Sequence, residues 1–269
     1  MLSSAPWWYL PFEHLNPEPA AMADIGSASS SFPIKEIQSP ASPVVKHCVR
    51  LRTQAKYRQE NSRVLVLGKE IINELLDKRP GRSSHCITKL FAVETEDLGS
   101  WGSFCNNMYK VSLPAMQKLT GLQSVPGSQI AAELTMPPDS QLELWPRAHL
   151  THLLVLDGVQ DPGNLGSLLR TALALGWQAF FILPGCCDIY NEKAVSASKG
   201  ACFKLPSVHG TWKDLEAICN QHKLVKLAAD SNADSQVLTD GASRLGIARA
   251  AQHAAALLEV LHSTAIFGF

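Results

Sequence analysis

Between residues 152 and 229, apolar strand-like stretches alternate with amphipathic helical stretches, and this alternation constrains the fold more than any other feature. The first strand is apolar without alternation, as expected in a parallel sheet covered by helices on both faces. The sequence therefore predicts a parallel α/β sheet with Leu153–Leu156 at its centre. The predicted strands are His152–Leu156, Ala179–Leu183, Ala201–Leu205 and Leu224–Ala229, and the predicted helices are Asn164–Leu175, Asn191–Lys199 and Thr211–His222.

Residues 42–135 predict a second, smaller α/β unit. It opens with a helix for which Ser42 is the expected N-cap and Pro43 the first helical residue. An apolar stripe on this helix consists of Val44, Cys48, Leu51 and Ala55. The strands predicted after it are Arg63–Leu67, Cys86–Val93, Tyr109–Ser112 and Gln129–Leu134, and the helices are Lys69–Asp77 and Pro114–Leu119.

The remaining segments set the predicted boundaries. Residues 1–41 are rich in Pro and Ser and predict a disordered N-terminal segment. Three prolines between 136 and 149 predict a linker, and the second α/β unit then covers 150–241. Residues 242–269 are rich in Ala and Leu, so they predict a divergent helical tail, without a further strand, that could cover the edge of the sheet.

Charge is unevenly distributed along a chain that is neutral overall. Lys+Arg and Asp+Glu number 24 each, but residues 42–82 hold ten bases against four acids, a local charge of +6. One basic segment on a neutral protein indicates a docking face for a polyanion such as structured RNA, although a solvated helix face is the alternative. The candidate RNA-binding residues are Lys46, Arg50, Arg52, Lys56 and Arg58.

Composition excludes several classes of protein. The chain is 46% hydrophobic and 18% charged, which is a globular balance. Its seven cysteines are odd in number and form no C-x-x-C pair, so we expect reduced thiols, an intracellular location and no metal site; adjacent Cys186 and Cys187 mark only a loop. No apolar run is long enough to predict a membrane span.

The first 41 residues are Ser-rich but contain four acids and no Arg, which leaves import into a chloroplast or mitochondrion open.

The string DGVQDPGNLGSLLRTA, residues 157–172, reads as the end of a strand, a tight loop and a helix. Such a junction presents free backbone N–H groups to an anion. It is neither a G-x-G-x-x-G turn nor a Walker loop, which argues against a dinucleotide oxidoreductase. Asn164 occupies the expected N-cap position, and Arg170 lies about 130° from the centre of the apolar face, so it should reach solvent or a ligand. A capping Asn and a solvated Arg are the alternative, and Asp157 and Asp161 are interpreted as turn formers.

This string closely resembles the first motif of the SpoU (TrmH) branch of the SPOUT superfamily of RNA 2′-O-ribose methyltransferases. Residues 193–206 look like the family's stretch after its second strand, and residues 39–134 look like its accessory substrate-binding domain, a small ribosomal-protein-like α/β fold. The resemblance implies a C-terminal parallel-sheet α/β methyltransferase domain of SPOUT type with a deep trefoil knot, assembled as a homodimer. It also implies methyl transfer from S-adenosylmethionine to a ribose 2′-hydroxyl of tRNA or rRNA.

By this resemblance, Asn164 and Arg170 are the catalytic residues, and the Arg helps to activate the hydroxyl. Guanidinium groups have a pKa above 12, so removing a proton from one near pH 7 costs about 7 kcal/mol. Either a nearby RNA phosphate offsets that cost, or the Arg mainly binds the phosphate. The sequence leaves both roles open.

Two further motifs of the family have no counterpart after Gly241. One is a Gly-rich loop that carries a Glu, and the other is a Pro-containing loop that leads into a helix with Ser and Asn. In the family these loops tie the knot and hold the cofactor. The sequence therefore predicts a truncated member with an incomplete knot, unassigned cofactor-binding residues and a Kd for S-adenosylmethionine weaker than ~1 mM. A non-catalytic RNA-binding protein is the alternative function.

Overall fold

Residues 1–136 and 137–269 form two compact units, called here the N-terminal and C-terminal units. The structure is a computed structural model. It describes residues 34–76, 87–98, 101, 104–105, 107–137, 150–224, 226–229 and 265–268.

The N-terminal unit is a five-stranded mixed sheet with helices packed against it. Its strand order is β1-β4-β3-β5-β2, in which β1, β4 and β3 run parallel and β5 runs antiparallel to both β3 and β2. The elements are β1 (Lys35–Ile37), α1 (Pro43–Thr53), α2 (Ala55–Asn61), β2 (Arg63–Leu67), α3 (Lys69–Leu75), β3 (Ile87–Val93), β4 (Met108–Val111), α4 (Leu113–Thr120) and β5 (Ile130–Thr135).

Helices α1 and α4 pack on one face of this sheet and bury the core there. The buried stripe of α1 is Val45, Cys48 and Leu51, whereas Val44, predicted in that stripe, is half-buried. The predicted opening helix is in fact two helices, because Gln54 has an extended backbone and α2 starts anew after it.

Strand β1 corrects the prediction that residues 1–41 are disordered throughout. Lys35–Ile37 pairs in parallel with β4, which gives this edge of the sheet its last strand. The stretch is only three residues long and lies between prolines, so its pairing depends on a partner strand that local sequence does not show. Residues 1–33 lie outside the described part of the chain.

The C-terminal unit is also a five-stranded sheet, in the order β8-β7-β6-β10-β9. Strand β6 is central, as predicted, and pairs in parallel with β7, which pairs in parallel with β8. The elements are β6 (Leu153–Leu156), α5 (Pro162–Ala174), β7 (Ala179–Ile182), α6 (Glu192–Ser198), α7 (Ala201–Lys204), β8 (Ser207–His209), α8 (Trp212–His222), β9 (Lys226–Ala229) and β10 (Ala265–Gly268).

Two predictions about this sheet are wrong. Residues 201–204 form the short helix α7 rather than a strand, and the strand follows them at Ser207–His209. Lys199 and Gly200 both adopt left-handed backbone conformations, which end α6 and turn the chain at once into the next helical turn. A short apolar run does not separate a buried strand from a buried helix by pattern alone.

The second wrong prediction concerns the end of the chain, where no further strand was expected. Residues Ala265–Gly268 form β10, which pairs antiparallel with β6 on one side and β9 on the other. The sheet is therefore mixed rather than purely parallel. The predicted helix over the rest of 242–269 and the predicted absence of a deep knot concern residues 230–264 and 269, which lie outside those described.

Candidate active site and RNA-facing surface

The predicted strand–loop–helix junction is present at the carboxyl end of β6. Gly158 has a left-handed backbone with φ of 61°, Val159 is buried, and α5 begins at Pro162. The N-cap of α5 is Asp161, whose Oδ1 accepts a hydrogen bond from the backbone N–H of Asn164 at 2.7 Å. Asn164 is therefore the third helical residue and not the predicted cap, because Pro162 fits the first helical position and starts the helix earlier.

Helix α5 divides its residues between packing and solvent. Its buried residues are Leu165, Gly166, Leu168, Leu169 and Ala172. Arg170 is exposed, as predicted from its angle to that face, and Asn164 is half-buried. The two residues are about 9 Å apart along the helix axis. Within the described residues, neither side chain has a hydrogen-bond or ion-pair partner, so both are available to a ligand.

Gly166 lets α5 and α6 pack closely. A Cβ at this position would meet the Ala194 carbonyl oxygen at 2.5 Å, the Ala197 Cβ at 2.6 Å and the Ser198 N at 2.8 Å. This contact fixes the segment Ala197–Ala201 against the helix that carries Arg170. Two regions that resemble the family are thereby in direct contact.

The loop after β7 makes hydrogen bonds to the junction. The backbone N–H of Cys187 donates to the Val159 carbonyl at 2.8 Å, and the Cys186 thiol donates to the Leu156 carbonyl at 3.3 Å. Burial raises the pKa of the Cys186 thiol, and burial together with the charges of Cys186 and Asp188 raises the pKa of Cys187 to about 11. Both thiols are therefore protonated at neutral pH, which fits a structural role.

The basic residues of α1 and α2 do not share one surface. Lys46, Arg50 and Lys56 are exposed, while Arg52 is half-buried. Arg58 is only 3% exposed, and its guanidinium donates to the carbonyl oxygens of Leu51 at 2.6 Å and Arg52 at 3.0 Å. This corrects the prediction for Arg58, because its charge holds the end of α1 and does not face solvent.

A buried carboxylate that the sequence analysis missed organises this region. Glu133 on β5 accepts hydrogen bonds from Lys89 at 2.7 Å and Thr88 at 2.8 Å, and its other near neighbours are His47 Nε2 at 3.1 Å and Arg63 Nε at 3.8 Å. Burial alone would raise the pKa of Glu133, but the hydrogen bonds from Lys89 and Thr88 and the charges of Lys89 and His47 hold it below its ordinary value. The available signal was a single acid among the apolar residues of 130–134.

From His47, the network continues to the surface. The His47 Nδ1 and the Tyr57 hydroxyl are 2.8 Å apart, and the Arg50 guanidinium lies over the Tyr57 ring, 3.7 Å from its centroid. An exposed cation is thus held by an aromatic ring that is itself fixed through His47 to the core.

Comparison with known proteins identifies the fold of the C-terminal unit. The family model described as the SpoU rRNA Methylase family matches residues 151–261. The C-terminal unit contains a SpoU methylase domain. The match begins just before β6 and contains the junction and α5. It also runs past Gly241, the residue after which the sequence analysis found no further family motif.

Curated relatives of this chain carry methyltransferase names. The 23S rRNA (guanosine(2553)-2′-O)-methyltransferase RlmP of Bacillus subtilis is 32% identical over 175 residues, which cover 65% of each chain. An uncharacterized tRNA/rRNA methyltransferase of Synechocystis is 30% identical over 64% of this chain and 61% of its own length. The rRNA methyltransferase 3A, mitochondrial, of Danio rerio is 30% identical over 57% of this chain and 32% of its own. The chain thus spans less than two thirds of the length of each of these relatives.

Solved structures agree on the fold. An AdoMet-bound rRNA methyltransferase from Sinorhizobium meliloti superposes with a TM-score of 0.58 at 23% identity, covering 70% of this chain and 69% of that one. An RNA 2′-O ribose methyltransferase superposes with a TM-score of 0.55 at 26% identity, covering 70% of both chains. The predicted fold class, a mixed α/β chain with a SPOUT methyltransferase unit, is confirmed at this level.

Two features are absent from the described residues. No helix among them is long and apolar enough to cross a membrane. In the same part of the chain, no group of three or more His, Cys, Asp or Glu side chains could hold a metal ion.

Proposed function

We propose that this chain transfers a methyl group from S-adenosylmethionine to a ribose 2′-hydroxyl of structured RNA, tRNA or rRNA. The observation that carries the proposal is the junction at β6, which holds Asp157–Ala172 in the family's strand–loop–helix arrangement and leaves Arg170 exposed. The 2′-O-methyltransferase name of the Bacillus subtilis relative supports the same reaction.

The edge of the sheet beside this junction suits a cofactor that lies against backbone. Gly158 and Gly185 both have left-handed φ values, and a Cβ on Gly185 would lie 3.7 Å from the Gly158 Cα and meet nothing closer. Side chains therefore leave this stretch of backbone open. When bound, S-adenosylmethionine supplies an electrophilic methyl group on a sulfonium centre. The expectation that its Kd is weaker than ~1 mM depends on residues after Gly241 and stays a prediction.

Arg170 and Asn164 would act on the RNA side of the reaction. Methylation of the ribose oxygen would require loss of the hydroxyl proton, which would pass to water, because the proposed role of Arg170 keeps its guanidinium charged. A guanidinium that remains charged can bind the adjacent phosphate through two parallel hydrogen bonds and fix the sugar for attack. We propose this phosphate-binding role for Arg170, since it requires no deprotonation, and an orienting hydrogen bond from Asn164.

The N-terminal unit would dock the RNA through Lys46, Arg50 and Lys56. Replacing all three with Gln removes up to three phosphate contacts, so we expect weaker binding and a log–log salt slope lower by up to ~3 units. Fluorescence anisotropy with a labelled rRNA fragment over a range of KCl concentrations measures both quantities. Unchanged affinity and slope would exclude these residues from the interface; Lys213→Gln, an exposed residue of α8, is the matched control.

A non-catalytic RNA-binding protein remains the second candidate, because no G-x-E-G-x-G string follows Gly241 in the sequence. Incubation of the full chain with rRNA and methyl-labelled S-adenosylmethionine at millimolar concentration distinguishes the two. Incorporation of label supports the methyltransferase, and RNA binding without incorporation supports the second candidate.

Assembly and location belong to the same proposal. We propose a homodimer, as the family resemblance implies, which light scattering on the purified chain tests directly. An organellar location is supported by the mitochondrial relatives from Danio rerio and Homo sapiens. Imaging of a C-terminally tagged chain tests it, and a diffuse signal outside organelles would contradict it.

A further inference from the structure

We propose that a depression between α1 and α4 of the N-terminal unit binds an unpaired nucleobase of the RNA. This inference rests on the proposed function, because it assumes an RNA substrate. It goes further in naming the structural element of that RNA that the unit recognises: a nucleotide outside a duplex.

The floor of the depression is apolar and small. Pro40, Val45 and Val49 line it, and its volume is about 280 Å³. Ligand pockets for drug-sized molecules begin at roughly 300 Å³, so this one suits a single flat group rather than an extended ligand. A nucleobase has that size and offers an apolar face.

The rim of the depression is positively charged. Lys46 and Arg50 come from α1 and Lys118 from α4, and no acidic residue lines the site. All three side chains are exposed, and none has an ion-pair partner among the residues that the structure describes. Three cations without a carboxylate partner surround an apolar floor, and this arrangement complements a base flanked by its own phosphates. A neutral apolar ligand would gain nothing from these charges.

Arg50 is held in place for this role. Its guanidinium lies on the Tyr57 ring, and His47 joins the Tyr57 hydroxyl to the buried carboxylate of Glu133. Because the ring is fixed, the guanidinium loses less conformational entropy when it binds a phosphate.

The geometry favours an unpaired base over a duplex. In a duplex, both faces of each base are covered by stacking neighbours, and single-stranded nucleotides are the ones whose bases can be turned outward. A base can place its face on the apolar floor of the depression only after it leaves the stack. The charged rim alone would bind a duplex equally well, so the floor is the part that discriminates.

The test uses the full chain and a labelled RNA hairpin whose loop nucleotides are replaced one at a time by abasic ribose, beside a fully paired duplex of the same stem. We expect tighter binding to the hairpin, and loss of about tenfold in affinity when one particular loop base is removed, which corresponds to about 1.4 kcal/mol. Replacing that base with 2-aminopurine should give a fluorescence change on binding.

Two variants assign the effect to the depression. Val49→Asp places a carboxylate on the floor and should remove the preference for the intact hairpin, and Lys118→Gln, at an exposed position, should weaken hairpin binding without changing the melting temperature. Lys213→Gln is the control and should change neither.

Equal binding of the hairpin and its abasic forms would overturn the nucleobase site while leaving the proposed RNA substrate intact. Failure to bind either the hairpin or the duplex would overturn both proposals. If Val49→Asp lowers the melting temperature, the Lys118→Gln result decides, and unchanged hairpin affinity in that variant contradicts the site.

Discussion

The Arg170 side chain is exposed, whereas several nearby residues of α5 are buried in contacts with α6 and the sheet. Since the side chain contributes nothing to that packing, we expect Arg170→Ala to lower the rate of methyl transfer by at least ~100-fold, the scale typical of losing one electrostatic contact in the transition state. The melting temperature should stay the same. A labelled-methyl filter assay and thermal denaturation measure the two quantities.

Arg170→Lys tests whether this residue helps to activate the ribose hydroxyl or binds the adjacent phosphate. A lysine keeps a positive charge at the phosphate, so the phosphate-binding role predicts partial activity with a higher KM for RNA. Full activity in Arg170→Ala would remove this residue from the mechanism.

Glu133 makes the N-terminal unit sensitive to acid. Its pKa is held below the ordinary value of 4.5, so its contribution to stability is complete above that pH and is lost as pH falls through the folded-state pKa. We expect Glu133→Gln to lower the free energy of unfolding at pH 7 by about 1–3 kcal/mol, less than for a fully buried pair because Lys89 and Arg63 remain 28% and 33% exposed.

The same substitution should also flatten the pH dependence of stability below pH 4.5. Urea denaturation at a series of pH values, with wild-type chain as the reference, measures this dependence. An identical acid-induced loss of stability in wild type and Glu133→Gln would contradict the account of this carboxylate.

The exposure of a side chain could be predicted from the sequence where it depends only on the side chain's position around one helix. The angle of Arg170 to the apolar face of α5 follows from 100° per residue, and the structure confirms that it is exposed. Arg58 shows the limit: its burial depends on the break at Gln54, which turns α2 back so that the guanidinium reaches the carbonyls at the end of α1. Helical periodicity carries no information about such a turn.

At the scale of elements, the contact between α5 and α6 depends on one glycine. In Gly166→Ala the added methyl meets backbone atoms of α6 that cannot move alone, so we expect the helices to separate and the free energy of unfolding to fall by about 1–3 kcal/mol. Chemical denaturation measures the loss. Ser167→Ala, one residue further along the same helix and half-buried, is the control and should cost well below 1 kcal/mol.

A neutral or stabilising Gly166→Ala would mean that α5 and α6 are not packed as described. Alanine has the higher intrinsic helix propensity by up to about 1 kcal/mol, so a loose contact would give a gain in stability instead of a loss.

Most elements could be predicted from local pattern, and the two strands that were missed share one cause. Strand β2 has the predicted bounds, and β6 and β7 differ from the predicted strands by one residue at one end. Strands β1 and β10 were missed because both owe their strand geometry to partners far along the chain, β4 for the first and β6 with β9 for the second. Long-range pairing leaves no periodic signal in so short a stretch.

At the scale of the whole molecule, our proposals assign methyl transfer and RNA docking to different compact units. The C-terminal unit carries the SpoU junction with Asn164 and Arg170, and the N-terminal unit carries the exposed cations of α1 and the Glu133 network. If these proposals hold, RNA specificity can change through the N-terminal unit while the reaction at the junction stays the same.

The most direct test is the position of the methyl group on the RNA product. A 2′-O-methyl ribose blocks alkaline cleavage of the neighbouring phosphodiester, because the free 2′-hydroxyl is the nucleophile of that cleavage. Incubation of rRNA with the full chain and millimolar S-adenosylmethionine, followed by alkaline hydrolysis and mapping, should show one alkali-resistant position with wild type and none with Arg170→Ala. Methyl groups on bases rather than ribose, or no methylated product at any cofactor concentration, would contradict the account.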